Sequence, residues 1–111
     1  MILVFEEVDR ENFEKVRSGI KSIETRAGTA KYQAICVGDE IEFQCGTDVF
    51  GKKVIKKYQW STVEAMCAEV PLKKVMPDID TIDQVKIRYA SYPNYPEKIK
   101  KFGILGLELG E

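Results

Sequence analysis

The sequence predicts an α+β domain: a small curved sheet or β-barrel with flanking short helices. Three observations carry this. An apolar, β-branched run opens the chain, and apolar residues alternate with period two at Ile41, Phe43 and Cys45, and again at Leu105, Leu107 and Leu109, as half-buried strands require. Between the second and third of these runs lie two helix-start signatures, Ser61-Thr62-Val63-Glu64 and Thr81-Ile82-Asp83-Gln84. No repeat, low-complexity tract or linker divides the chain, so its 111 residues form one domain, 1–111.

Taken in order, Met1 to Val8 is apolar and β-branched up to Glu6 and reads as a strand or an extended lead-in. Asp9 is placed to cap a helix from Arg10 to Ser18, with Phe13, Val16 and Ile20 as its apolar stripe and Gly19 as its left-handed terminator. Ser22 to Arg26 alternates as a strand, and Ala27 to Ala34 is small and polar and reads as a loop. Val37-Gly38-Asp39-Glu40 is a turn, after which Ile41 to Cys45 and Val49 to Tyr58 form a hairpin reversed at Gly46-Thr47-Asp48, with Gly51 a candidate bulge. In the returning strand Val54, Lys56 and Tyr58 are expected on one face. The helix after Ser61 stops before Pro71, Leu72 to Met76 makes another turn, and Pro77-Asp78 breaks it. A helix then runs toward Tyr92 on a stripe of Ile82, Val85 and Tyr89. Tyr92-Pro93-Asn94-Tyr95-Pro96 is an aromatic turn read as packed, Glu97 to Lys101 adds a helical turn, and Ile104 to Leu109 is the last strand.

Composition excludes several functions. Seventeen basic and eighteen acidic residues leave a net charge of -1, so there is no global footprint for gripping nucleic acid. The cluster Lys52, Lys53, Lys56 and Lys57 reads as a solvated strand edge guarded by lysines. Cys36, Cys45 and Cys67 lack a C-x-x-C spacing and the chain has no histidine, which argues against a zinc site and excludes a Ser-His-Asp triad. No metal or cofactor is expected. The apolar runs fall far short of the roughly 20 residues that span a bilayer, and the start lacks a secretory pattern, so the expectation is a cytoplasmic protein without membrane contact.

The richest chemistry lies in Ser18-Gly19-Ile20-Lys21-Ser22-Ile23-Glu24-Thr25-Arg26. Alternation places Glu24 and Arg26 on one strand face and Ile23 and Thr25 on the other, while Lys21 sits on the turn and is free to swing toward either. The trio suits a nucleobase or phosphate: a planar fork of donors in Arg26, a point charge in Lys21 and an acceptor for an exocyclic amine in Glu24. An exposed ion-pair cluster is the plain alternative. Tyr32, on the following loop, is a candidate to stack on a bound base. Tyr58 and Trp60 read first as core or barrel-rim packing.

Gly19 to Arg26 resembles the G-x-K-x-x-E-x-R motif of ASCH domains, small members of the PUA-like superfamily. The resemblance extends over most of the chain. Val37-Gly38-Asp39-Glu40-Ile41-Glu42-Phe43 is similar to that family's V-G-D-x-I-x-F strand, Tyr58 to Met66 to its strand leading into a short helix, Met76-Pro77 to its proline break and Phe102 to Leu109 to its closing strand. It implies a barrel whose cleft is lined by Lys21, Glu24 and Arg26 and binds RNA, a nucleotide or a modified nucleoside. It also implies two enzymatic alternatives, an amidohydrolase that removes acyl groups from N4-acetylcytidine-like nucleosides and a ribonuclease. The hydrolase members use the motif lysine, a threonine and a loop glutamate. Lys21 matches, Glu24 stands where they carry threonine, Ser22 and Thr25 are the adjacent hydroxyls, and Asp78 or Asp80 lies near the place of the loop acid. In that chemistry Lys21 serves as general base and Glu24 or Asp78 moves the proton.

Overall fold

The period-two runs become five strands: β1 (Ile2–Phe5), β2 (Ile23–Ala27), β3 (Glu40–Cys45), β4 (Asp48–Trp60) and β5 (Ile104–Gly110). The helical patterns become α1 (Arg10–Ser18), α2 (Ala30–Gln33), α3 (Val63–Glu69), α4 (Leu72–Val75), α5 (Ile82–Ala90) and α6 (Tyr95–Phe102). The computed structural model describes residues 1–110. The strands form one mixed sheet in the order β1-β3-β4-β5-β2, antiparallel throughout except for the parallel β1/β3 pair. The sheet curls into a half-barrel flanked by helices. Its two edge strands, β1 and β2, do not pair, and they approach one another across an open seam.

Apolar side chains fill both faces of this sheet. Leu105, Leu107 and Leu109 join Leu3, Phe43 and Val54 inside the curl, where α1 contributes Phe13 and Val16. On the other face Ile23, Tyr58, Trp60 and Ile104 meet Met66, Val85 and Tyr89 from the helices. Strand β5 serves both cores, which is why its sequence is almost continuously apolar. Close packing on the helical side explains Gly106: a Cβ there would lie 2.5 Å from the Trp60 ring.

Several expectations need correction. The first strand ends at Phe5, and Glu7–Asp9 forms a 3-10 turn that leaves Val8 exposed. Gly19 does end α1 in the left-handed region at φ 87°, but this turns Ile20 away from the stripe to 63% exposure. The stretch from Ala27, expected to be a loop, begins with the last residue of β2 and holds the short α2. The bulge lies between Val54 and Lys56, while Gly51 pairs normally with Glu42. One extra residue inverts which side chains face which side. Val54 therefore packs in the inner core and Tyr58 in the outer one, although plain alternation put them together. The helix after Ser61 is capped by Thr62, whose hydroxyl accepts from the Ala65 N–H, whereas Thr81 and Gln84 form the complete reciprocal box. Ile82 begins α5 but lies outside the buried stripe of Val85 and Tyr89. Lys52 is buried, so the lysine cluster is not wholly solvated.

Candidate functional site

The motif stands at the seam because its turn is fixed by backbone hydrogen bonds. The Lys21 N–H donates to the Lys15 carbonyl (3.0 Å), the Ser22 N–H to the Lys74 carbonyl (3.1 Å), and the Ser22 carbonyl accepts from Leu109 (2.8 Å). Strand β2 then pairs with β5, placing Glu24 opposite Leu107 and Arg26 opposite Leu105. Residues directly opposite share a face. Glu24 and Arg26 therefore lie on the inner face at the seam, as alternation predicts, with Ile23 in the outer core.

Glu24 is only 4% exposed, and both neighbouring cations reach it. Lys21 Nζ is 3.8 Å from Oε2, and Arg26 Nε is 3.3 Å from Oε1. Neither contact has hydrogen-bond geometry, and Glu24 Oε2 and Arg26 Nε are buried without a hydrogen-bond partner. Leaving such groups unmade costs about 1–3 kcal/mol each, more when charged. Burial, the largest single influence, acts to lower the Arg26 pKa, but the Glu24 charge together with smaller contributions from Tyr32 and Tyr95 holds the guanidinium above its ordinary value. The guanidinium carbon lies 5.8 Å from the ring centres of both Phe5 and Tyr32.

These groups open into a cavity of about 230 Å³. Val4 and Phe5 of β1 form one side, Lys21, Glu24, Thr25 and Arg26 the motif side, Asp9 and Asn12 a rim at the start of α1, and Met76, Tyr89, Tyr92 and Tyr95 the helical wall. The tyrosines brace one another: Tyr89 stacks on Tyr95 at 6.1 Å and Tyr92 meets Tyr95 edge-on at 5.2 Å. Burial raises the pKa of all three phenols, so they remain protonated donors at neutral pH. The Thr25 hydroxyl is 2.6 Å from the Tyr89 hydroxyl, which also reaches Met66 Sδ at 3.8 Å.

Of the residues singled out in the sequence, Lys21, Glu24, Thr25 and Arg26 meet in the cavity. Tyr32 touches Arg26 from behind and does not line it. Ser22 is half-buried beside the turn and also does not line it. Asp78 pairs with Arg88 at 2.5 Å and lies 4.0 Å from Lys15, in a different recess that includes Gln84 and Ser91, and Asp80 pairs with Lys73. The structure therefore does not bring the proposed acid helper to the lysine. Trp60 is core, stacked on Tyr58 with its indole N–H donating to Glu69. Sequence reasoning missed Tyr89, Tyr92 and Tyr95. Their i, i+3, i+6 spacing is the available signal, although it does not reveal which strand they face. Among the described residues no group of three or more His, Cys, Asp or Glu is arranged to hold a metal, and no helix is long and apolar enough to cross a membrane.

No family model and no curated protein matches the chain. Solved structures do. The crystal structure of hypothetical protein PH0355 aligns over 98% of this chain and 97% of its own, at 27% identity and a TM-score of 0.79. The solution structure of protein PF0455 from Pyrococcus furiosus aligns over 98% and 96%, at 24% identity and a TM-score of 0.73, a likeness of fold.

Proposed function

We propose that this is a PUA-like domain of the ASCH kind whose seam cavity binds the polar edge of a nucleobase. The observation that carries the reading is that Glu24 and Arg26, each with a buried polar atom left without a partner, acceptor Oε2 and donor Nε, both line one walled cavity. Their complement is a donor beside an acceptor, as on the N4/N3 edge of cytosine. A charged acceptor hydrogen-bonded to such an amine contributes about 1.5–3 kcal/mol, and the tyrosines offer aromatic faces for the ring. At about 230 Å³ the cavity lies below the ~300–1,000 Å³ of drug-sized pockets, which favours a single-ring base over a purine or an RNA segment. Both cations already face Glu24, so phosphate is not the main handle, and bulk RNA binds weakly with a shallow salt dependence.

Calorimetric titration with cytidine tests this. Binding is expected in the wild type, with affinity reduced about ten- to a hundredfold in Glu24→Gln. Absence of binding by cytidine, uridine and adenosine alike would overturn it.

The presence of Thr25 and Lys21 in one cavity favours a second reading, amide hydrolysis on an N4-acylated cytidine. Release of cytidine and acetate from N4-acetylcytidine, abolished in Lys21→Ala, is its expected signature. No release from a folded, cytidine-binding protein rejects it.

A further inference from the structure

Asp9 occupies the N-cap position of α1, yet its carboxylate makes no capping bond. Neither it nor Asn12 has a side-chain hydrogen bond or ion pair among the described residues, and both line the cavity at its rim. Asp9 is exposed and Asn12 half-buried, in contrast to Glu24 in the interior. Asp9 is also close enough to Tyr92, on the opposite wall, for its charge to act on that phenol. The cavity thus has a buried acceptor and donor at its floor and a second, unused carboxylate and amide at its mouth. A ligand whose base edge reaches Glu24 and whose other half extends toward the start of α1 meets Asp9 and Asn12.

We infer that Asp9 and Asn12 receive the hydroxyls of a ribose, so that the site selects a ribonucleoside without phosphate. The inference rests on the nucleobase reading above. A carboxylate accepts hydrogen bonds from sugar hydroxyls, the same chemistry by which an acidic side chain holds a ribose 2′-hydroxyl in dinucleotide sites. An amide can donate to one hydroxyl oxygen and accept from the next. A 5′-phosphate fits poorly: Lys21 and Arg26 are both directed at Glu24, and the charge at the mouth, Asp9, is negative.

The test is titration of cytosine, cytidine, 2′-deoxycytidine and cytidine 5′-monophosphate into wild type, Asp9→Asn, Asn12→Ala and Glu24→Gln. The Asp9 side chain makes no internal hydrogen bond, so Asp9→Asn is expected to fold normally, which its circular dichroism and melting curve check. In the wild type, cytidine is expected to bind about tenfold more tightly than 2′-deoxycytidine and more tightly than the monophosphate. Asp9→Asn should reduce the preference over the deoxynucleoside and raise the relative affinity of the monophosphate. Glu24→Gln should weaken all four together. If cytosine, deoxycytidine and cytidine bind equally while Glu24→Gln still weakens them, the ribose contact is wrong and the nucleobase reading stands. If the monophosphate binds most tightly, the ribose inference is overturned in favour of a phosphate site. If none binds to the wild type, the nucleobase reading fails and this inference fails with it.

Discussion

Two ion clusters in this chain, one a cation between carboxylates and the other a carboxylate between cations, are bonded to opposite degrees. Around Arg10, on the surface, the guanidinium donates at 2.8 and 2.6 Å to the two Glu7 oxygens and at 2.6 Å to Asp48, and a further N–H reaches the Cys45 carbonyl. Around Glu24, in the interior, the contacts are 3.3 and 3.8 Å and leave an oxygen and a nitrogen unmet. Solvent is available to finish bonding at Arg10, yet the protein finishes it anyway. At Glu24 Oε2 and Arg26 Nε the atoms are buried, and no protein group completes their bonding. The surface cluster is fully bonded where bonding contributes little, and the buried one is left incomplete where incompleteness costs most, a contrast on which the nucleobase proposal rests.

The largest expected break comes from removing the anion at the centre of the buried cluster. Glu24→Ala leaves Lys21 and Arg26 facing each other without their common partner and is expected to lower unfolding free energy by about 3 kcal/mol, read by urea denaturation. A change below 1 kcal/mol would place the cluster with the surface one. Next is Tyr89→Phe, which removes the partner of the Thr25 hydroxyl at a cost of about 1 kcal/mol, with an unchanged denaturant slope. The third effect is in pH. The folded pKa values of Tyr89, Tyr92 and Tyr95 are raised by burial above the unfolded value of about 10. Their contribution is therefore whole below pH ~10 and lost as pH rises through the folded values. Melting temperature should be flat on approaching that pH and fall beyond it, less steeply in Tyr89→Phe. The smallest effect belongs to the surface cluster: Arg10→Met is expected to leave the neutral-pH denaturation midpoint unresolved from wild type and cytidine affinity untouched.

How far the sequence foretold this site depends on which contacts are local. Lys21, Glu24 and Arg26 were legible because a turn followed by strict alternation determines their faces within six residues. The tyrosine wall was not, because Tyr89 reaches Thr25 across 64 positions and only the packing of α5 and α6 brings it there. Asp9 was legible as a cap by type and position, yet its backbone places the carboxylate at the cavity rim without a capping bond. In the sheet, the hairpin followed from its turn residues, but the bulge did not: nothing in Val54-Ile55-Lys56 announces an extra residue, whereas Gly51, which does look like a bulge, pairs regularly. One unforeseen residue was enough to exchange the faces of Tyr58 and Trp60 relative to Val54.

The first strand has a practical consequence for anyone handling the protein. β1 is an edge strand of four residues held by its parallel pairing to β3, and Val4 and Phe5 on it form one side of the cavity. A purification tag or fusion partner joined ahead of Met1 therefore begins within a few residues of the cavity. Attachment there puts foreign chain beside the cavity, and the titrations that test the nucleobase proposal are best run on protein cleaved free of it.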